Sequence, residues 1–135
     1  MGDGQNDEAV RRLFELFEAR RWEEAGELLA EDVVVDWPHT RERIRGRENY
    51  LGLNRNYPEG WSIDIRRVLP FGDLVVAELR VTLGSEVSHA ACFYEMEGGR
   101  IARGVEYWID EGWQDPPQWR ARWVEPIPPS GRPSA

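Results

Sequence analysis

Three short turns in the second half of the chain constrain its fold more than any other feature. Their sequences are PFGD (70–73), GSE (84–86) and EGG (97–99), and each separates two stretches rich in β-branched and aromatic residues. Turns of this length join antiparallel strands in hairpins. The pattern predicts four strands: Trp61–Leu69, Leu74–Leu83, Val87–Glu97 and Arg100–Ile109.

The first half of the chain has the period of helices instead. From Glu8 onwards, apolar residues recur at spacings of three and four, which places them on one helix face. These residues are Val10, Leu13, Phe14 and Phe17. A second short helix is predicted over Trp22–Leu29, and a short strand over Val33–Val35 is stopped by Pro38.

A third helix is predicted from Arg47 to about Asn56, after Gly46 and before Pro58. Helices followed by a meander of strands indicate an α+β fold, in which three N-terminal helices pack on an antiparallel sheet. We expect one domain over residues 8–125. The polar residues 1–7 and the proline-rich residues 126–135 are expected to be flexible tails.

Composition limits the classes of partner and the cellular location. A net charge of −8 argues against nucleic acid, because binding to nucleic acid depends on clustered basic residues. A single cysteine, Cys92, fits a reducing compartment, and no apolar run approaches the ~18–20 residues of a membrane span. With no signal peptide at the N-terminus, the expected location is cytoplasmic and no membrane partner is expected.

Seven tryptophans in 135 residues suit either the wall of an apolar pocket or a subunit interface.

Four stretches resemble the nuclear transport factor 2-like superfamily, and in particular its SnoaL-like members. EEAGELLAEDVVVDWP (23–38) is similar to the second helix and first strand of the family, and RIRGRENYLGLNRNYPEGW (43–61) to its third helix. FYEMEGGRIARGVEYW (93–108) is similar to its last hairpin, and PPQWRARWVE (116–125) to a C-terminal extension of some bacterial members. The resemblance implies that the sheet is curved and forms a cone with an internal pocket. The family includes steroid isomerases, polyketide cyclases, dehydratases, epoxide hydrolases and binding modules, so the resemblance alone assigns no reaction.

The residues that serve steroid isomerases of this superfamily are replaced in this chain. The place of the catalytic aspartate, directly before the proline that ends the first strand, is held by Trp37. The places of a tyrosine on the first helix and of an acid on the third long strand fall on Leu13 and Cys92. Asp36 lies one residue before the place of the catalytic aspartate, so its side chain is on the opposite face of the strand. We therefore interpret Asp36 as a strand-end acid. Steroid-isomerase chemistry is predicted to be absent.

Two elements supply candidates for a pocket. Tyr50, Leu53, Asn54 and Tyr57 share one face of the third helix, where they either form hydrogen-bonded core or line a cavity. On the last strand, the resemblance points Glu106 and Trp108 inward. A carboxylate in an aromatic pocket loses hydration, which favours its neutral form and suits acid/base chemistry. The alternative is a structural acid paired with an arginine.

The strand LVVAELRVTL (74–83) has two interpretations. Simple alternation buries its apolar odd positions and exposes Glu78 and Arg80, whereas the resemblance directs Glu78 and Arg80 into the cone and makes the odd positions a subunit interface. An apolar second sheet face predicts a homodimer.

The histidines, the cysteine and the arginine-rich run carry weaker predictions. His39 lies where the mouth of a cavity is expected, and strict alternation points His89 outward. Cys92 is interpreted as a core residue or as part of the pocket wall. No spacing of ligands predicts a metal site. The arginines of TRERIRGR (40–47) are interpreted mainly as a solvated surface paired with local acids.

The sequence therefore predicts a SnoaL-like protein with a pocket for a small hydrophobic or aromatic molecule, without cofactor or metal. Three hypotheses stay open: an acid/base enzyme such as a cyclase, isomerase or hydrolase, a binding module without chemistry, and a dimeric interaction protein with a filled interior. The catalytic candidates are Glu106 and His39. The candidate ligand-binding residues are Trp37, Tyr50, Asn54, Tyr57, Trp61, Glu78, Arg80, Cys92 and Trp108.

Overall fold

The computed structural model of the chain describes residues 3–128, with side chains from residue 5 onwards. The predicted α+β order is confirmed: helices come first and four long hairpin-linked strands follow. The elements are α1 (Asp3–Glu18), α2 (Trp22–Gly26), β1 (Leu29–Trp37), β2 (Glu42–Arg45), α3 (Arg47–Arg55), β3 (Trp61–Phe71), β4 (Leu74–Leu83), β5 (Glu86–Glu97), β6 (Arg100–Asp110) and a 3-10 helix (Gln118–Trp123).

The six strands form one curved sheet in the order β2-β1-β6-β5-β4-β3. The prediction of a wholly antiparallel sheet is wrong at one place, since β1 runs parallel to β6. β2 was not predicted and pairs antiparallel with β1 at the edge. Turn signals reveal only strands that are neighbours along the chain, so the pairing of β1 with β6 leaves no local signature.

The N-terminal elements differ from their predicted bounds. α1 begins at Asp3, so residues 3–7 belong to a helix rather than to a flexible tail. The amide of Asn6 is buried there and donates a hydrogen bond to the carbonyl of Gly72 at 2.9 Å, which ties the helix start to the β3–β4 turn. α2 ends at Gly26 and not at Leu29, because Leu29 already pairs with Ile101 in the sheet. The predictions for residues 1–2 and 129–135 lie outside the described residues.

The core lies between the helices and one side of the sheet, which we call the inner face. The predicted stripe of α1 is buried as expected, with Val10, Leu13, Phe14 and Phe17 each no more than 3% exposed. On β4 the odd positions Val75, Ala77 and Leu79 are buried, and the even positions between them are more exposed. The inner face therefore follows simple hydrophobic alternation.

The opposite side of the sheet, the outer face, carries exposed large apolar residues. They are Leu69, Phe71, Leu74, Phe93, Tyr107 and Ile109. The rings of Phe93 and Tyr107 meet edge to face with their centroids 6.0 Å apart. Three further tryptophans, Trp113, Trp119 and Trp123, are exposed in the segment that follows β6. Within residues 3–128, none of the helices has the length and apolar character needed to span a membrane.

Candidate functional site

A cavity of about 170 Å³ lies between α1, α3 and the inner face of the sheet. Its wall is mostly aromatic and aliphatic. The aromatic members are Phe14, Phe17, Trp37, Tyr50, Tyr57, Trp61 and Trp108. The aliphatic members are Ile63, Leu79, Val81 and Leu83, and the polar ones are Asn54, Glu86, Ser88, Glu106 and Asp110.

Glu106 is the polar centre of this cavity and is only 3% exposed. Its Oε2 accepts hydrogen bonds from the hydroxyls of Tyr50 at 2.6 Å and Tyr94 at 2.5 Å. Its Oε1 accepts a hydrogen bond from the indole N–H of Trp37 at 2.7 Å and a longer one from that of Trp108 at 3.4 Å. A carboxylate offers about four acceptor sites, so these donors replace the water that Glu106 loses on burial.

The strand register explains why these groups converge. Val35 of β1 pairs with Gly104 of β6, which brings Trp37 beside Glu106. Gly104 also pairs with Tyr94 of β5. A Cβ at Gly104 would lie 2.7 Å from Cδ1 of Tyr94, so the missing side chain leaves the space in which the tyrosine ring reaches the carboxylate.

Burial keeps the donors around Glu106 protonated. Desolvation is the largest cause that raises the pKa of Tyr50 well above its usual value, followed by the nearby charge of Glu106. Desolvation raises the pKa of Tyr94 in the same way, with further contributions from Cys92 and Glu106. At neutral pH both phenols therefore stay protonated and donate to the carboxylate.

Seven of the residues selected from the sequence line the cavity. They are Trp37, Tyr50, Asn54, Tyr57, Trp61, Glu106 and Trp108. Asn54 donates its side-chain N–H to the carbonyl of Tyr50 at 2.8 Å, within its own helix. Tyr57 is 48% exposed and lies toward the opening.

Glu78 and Arg80 do not line the cavity, and the prediction that they face the interior of the cone is wrong. They lie on the outer face, where Glu78 accepts a hydrogen bond from Nε of Arg67 at 2.7 Å. The odd positions Leu79 and Val81 face the cavity instead. The apolar side chains at the odd positions of β4 pack toward the interior. The side chains at the even positions therefore lie on the opposite side of the sheet.

Cys92 and His39 are also absent from the wall. Cys92 is fully buried in the core, and desolvation raises the pKa of its thiol well above the usual value. His39 is exposed in the turn after β1, with its ring centroid 5.7 Å from that of Trp37. Trp37 contacts both His39 and Glu106, but His39 does not share the cavity wall with Glu106, so the structure does not bring the two catalytic candidates together in one site.

The remaining candidates, His89 and Asp36, lie away from the cavity. His89 bonds to Oε2 of Glu111 at 2.6 Å. Asp36 accepts two hydrogen bonds from the guanidinium of Arg43, at 2.7 and 2.9 Å. These bonds are the main reason that the pKa of Asp36 is lowered, and the pair is a strand-end ion pair rather than an acid/base centre. Among residues 3–128, no cluster of three His, Cys, Asp or Glu side chains could hold a metal ion.

Four residues of the site were not predicted from the sequence: Tyr94 and the three polar residues at the opening, Glu86, Ser88 and Asp110. Tyr94 lies two positions after Cys92 and therefore on the same strand face. Asp110 likewise follows Trp108 by two positions, and it accepts a hydrogen bond from Ser88 at 2.6 Å. Strand alternation alone was a sufficient signal for all four residues.

Comparison with known proteins identifies the family. The SnoaL-like domain family matches residues 10–104, and the chain belongs to this family within the nuclear transport factor 2-like superfamily. A protein from Kribbella flavida DSM 17836 that carries the provisional name ketosteroid isomerase is 36% identical, with a TM-score of 0.85 over 93% of this chain and 92% of that one. No curated protein matches the sequence.

Two more distant structures share the fold. An NTF-2 like protein of unknown function from Burkholderia xenovorans LB400 is 23% identical, with a TM-score of 0.77 over 92% of this chain and 96% of that one. An M. tuberculosis LEH-like epoxide hydrolase is 20% identical, with a TM-score of 0.68 over 79% of this chain and 84% of that one.

Proposed function

We propose that this SnoaL-like protein binds a small, largely apolar molecule in its interior cavity, with Glu106 as the polar anchor. The observation that carries the proposal is a carboxylate, 3% exposed, on the wall of a mostly aromatic and aliphatic cavity. Pockets for small molecules combine an apolar wall with a few placed polar groups in this way. The wall supplies affinity, and Oε1 of Glu106 fixes the orientation of the ligand.

Oε1 is the atom available to a ligand. Both donors to Oε2 form short bonds from phenols, whereas Trp108 reaches Oε1 only at 3.4 Å. A hydrogen bond of that length is weak, so a ligand N–H or O–H can replace it at little cost. Glu106 therefore offers a ligand one acceptor position, at Oε1.

The same position favours acid/base catalysis as a second candidate function. Oε1 can take a proton from a ligand carbon or hydroxyl and return it to another atom of the same ligand, which consumes no oxidant or reductant. Such a positioned carboxylate contributes about 10²–10⁴-fold to rate. The names of the Kribbella flavida and M. tuberculosis neighbours are compatible with this class, although Trp37, Leu13 and Cys92 replace the residues expected of a steroid isomerase.

Binding is tested with 2-tetralone as the probe, by saturation-transfer NMR. Val81→Phe fills the cavity, whereas Val76→Phe adds the same volume on the outer face of the same strand. We expect wild type and Val76→Phe to bind alike and Val81→Phe to bind at least tenfold more weakly. Absence of binding by wild type, or equal binding by Val81→Phe, would overturn the proposal.

Catalysis is tested separately, by exchange of the α-protons of 2-tetralone in deuterated buffer. We expect Glu106→Gln to retain binding and to lose the exchange that wild type catalyses, by about 100-fold or more. Equal exchange by wild type and Glu106→Gln would leave a binding protein without this chemistry.

A further inference from the structure

The charge of the cavity has one sign. Three carboxylates contribute to its wall, those of Glu106, Glu86 and Asp110. Among residues 3–128, no arginine or histidine contributes to it, and the chain contains no lysine. A ligand that enters therefore meets negative groups and uncharged ones.

Glu106 has neutral hydrogen-bond donors and no counter-ion among them. All four side chains that bond to it are phenols or indoles. Neutral donors replace lost hydration but leave the charge itself uncompensated, and a buried charge is stabilised further by an opposite charge at short range. The cavity beside Oε1 is the place where such a charge can be supplied.

The aromatic wall favours the same kind of ligand for an independent reason. Trp37, Trp61 and Trp108, with Tyr50 and Tyr57, surround the space next to Glu106. The faces of indole and phenol rings carry negative potential and attract ammonium groups, most strongly where water is excluded. Recognition of quaternary ammonium ligands by cages of such rings follows from this property.

The opening extends the negative region to the surface. Glu86 and Asp110 are exposed and also reach the cavity wall. Carboxylates at the mouth of a low-dielectric cleft concentrate cations there and speed their entry, and the net charge of −8 acts in the same direction.

We infer that the cavity takes an organic cation: a small apolar molecule with a protonated or quaternary amine, whose charge lies beside Glu106 and whose body contacts the rings. The inference rests on the proposed binding function and adds the charge of the ligand. A protonated amine donates to Oε1 in place of Trp108, and a quaternary amine is held by the charge and the ring faces alone.

A matched pair of probes tests the charge of the ligand. Phenyltrimethylammonium and tert-butylbenzene have the same shape and differ by one positive charge, and benzenesulfonate serves as the anion. By ligand-observed NMR at neutral pH, we expect the ammonium ion to bind at least tenfold more tightly than tert-butylbenzene, and benzenesulfonate to bind more weakly than either. Equal affinity for the first two probes overturns this inference and leaves the proposed function intact, whereas no binding of any probe or of 2-tetralone overturns both.

Variants assign the preference to the cavity. Glu106→Gln is expected to reduce the ammonium affinity at least fivefold and to reduce the affinity for tert-butylbenzene by a smaller factor. Glu97→Gln removes an equal charge from the exposed end of β5 and is the matched control, expected to change neither affinity. Val81→Phe fills the cavity and leaves the exposed tryptophans unchanged. It should abolish binding of both probes, which would show that they do not bind to those tryptophans. An ammonium preference that is undiminished in Glu106→Gln, or binding that survives in Val81→Phe, overturns the assignment.

Discussion

The inner and outer faces of the sheet are made by the same alternating strands, but they use their aromatic residues differently. On the inner face, the polar atoms of Trp37, Tyr50 and Tyr94 converge on one buried carboxylate. On the outer face, Phe93 and Tyr107 contact each other, and both remain at least 39% exposed. The buried acid Glu106 therefore lets the inner face orient a ligand, whereas the aromatic residues of the outer face offer apolar contact.

The largest expected effect is on the inner face, from Glu106→Ala. Removing the carboxylate leaves buried phenol and indole donors without an acceptor, which is costly because they cannot all reach water. We expect the free energy of unfolding to fall by about 3–5 kcal/mol, because several buried donors lose their acceptor at once and each unsatisfied donor costs about 1–3 kcal/mol. Urea denaturation measures it, with the exposed Glu97→Ala as control, expected to change by less than about 0.5 kcal/mol. A loss for Glu106→Ala that is no larger than the control would mean that the network does not stabilise the fold.

Gly104→Ala tests the space that lets Tyr94 reach Glu106. The added methyl group would lie 2.7 Å from the Tyr94 ring, which is fully buried and cannot move aside freely. We expect a loss of about 1–3 kcal/mol, typical of overpacking. Gly52→Ala in α3 meets nothing within 4 Å and should instead stabilise the helix by about 0.5–1 kcal/mol. Thermal unfolding of the two variants compares them directly, and equal melting temperatures would contradict the role of Gly104.

The outer face is tested through self-association, since we propose that two copies of the chain pair through it. Around its apolar centre lie both signs of charge, with Glu95 paired in register to Arg103, so twofold-related copies can place unlike charges opposite each other. Phe93→Lys should raise the dimer dissociation constant at least tenfold, about 1.4 kcal/mol, with little change in the stability of the monomer. Sedimentation at micromolar concentration measures this, and a monomeric wild type would refute the pairing.

The smallest expected effect concerns the strand-end pair of Asp36 and Arg43. The pKa of Asp36 is lowered in the folded protein by its hydrogen bonds to Arg43. Such a carboxyl stabilises the fold above its unfolded pKa of about 3.9, and this contribution is lost as the pH falls through the lower folded value. Arg43→Gln should therefore be slightly less stable than wild type at pH 7 and equally stable in strong acid. Urea denaturation at both pH values checks this, and a difference that persists in acid would exclude the ion pair as its cause.

The long strands could be predicted because their limits are set by local chemistry. Gly and Asp residues mark the turns, and alternation marks the faces, so β4 was placed with its observed bounds. The parallel contact of β1 with β6 could not be predicted in this way, because the two strands are far apart along the chain. The start of α1 was missed for a related reason: Asn6 looks like a tail residue until Gly72 supplies its partner.

Strand alternation and the family resemblance predicted different parts of the candidate site. Alternation placed Glu106 and Trp108 on one strand face, the resemblance turned that face inward, and both residues line the cavity. Glu78 and Arg80 were chosen on the resemblance against the alternation, and they lie outside. Tyr94 shares a strand face with Cys92 and was overlooked, although its hydroxyl makes the shortest bond to Glu106. The sequence of neither strand alone indicates that Gly104 leaves room for the ring of Tyr94 to reach Glu106.

The burial of Cys92, the single cysteine of the chain, has a practical consequence. A thiol that is sealed in the core and held in its neutral form reacts with an alkylating reagent only when the sheet opens. The rate at which the Cys92 thiol is alkylated therefore measures how often the interior opens. A molecule that binds in the neighbouring cavity should lower this rate, so binding can be detected without a label on the molecule or the protein.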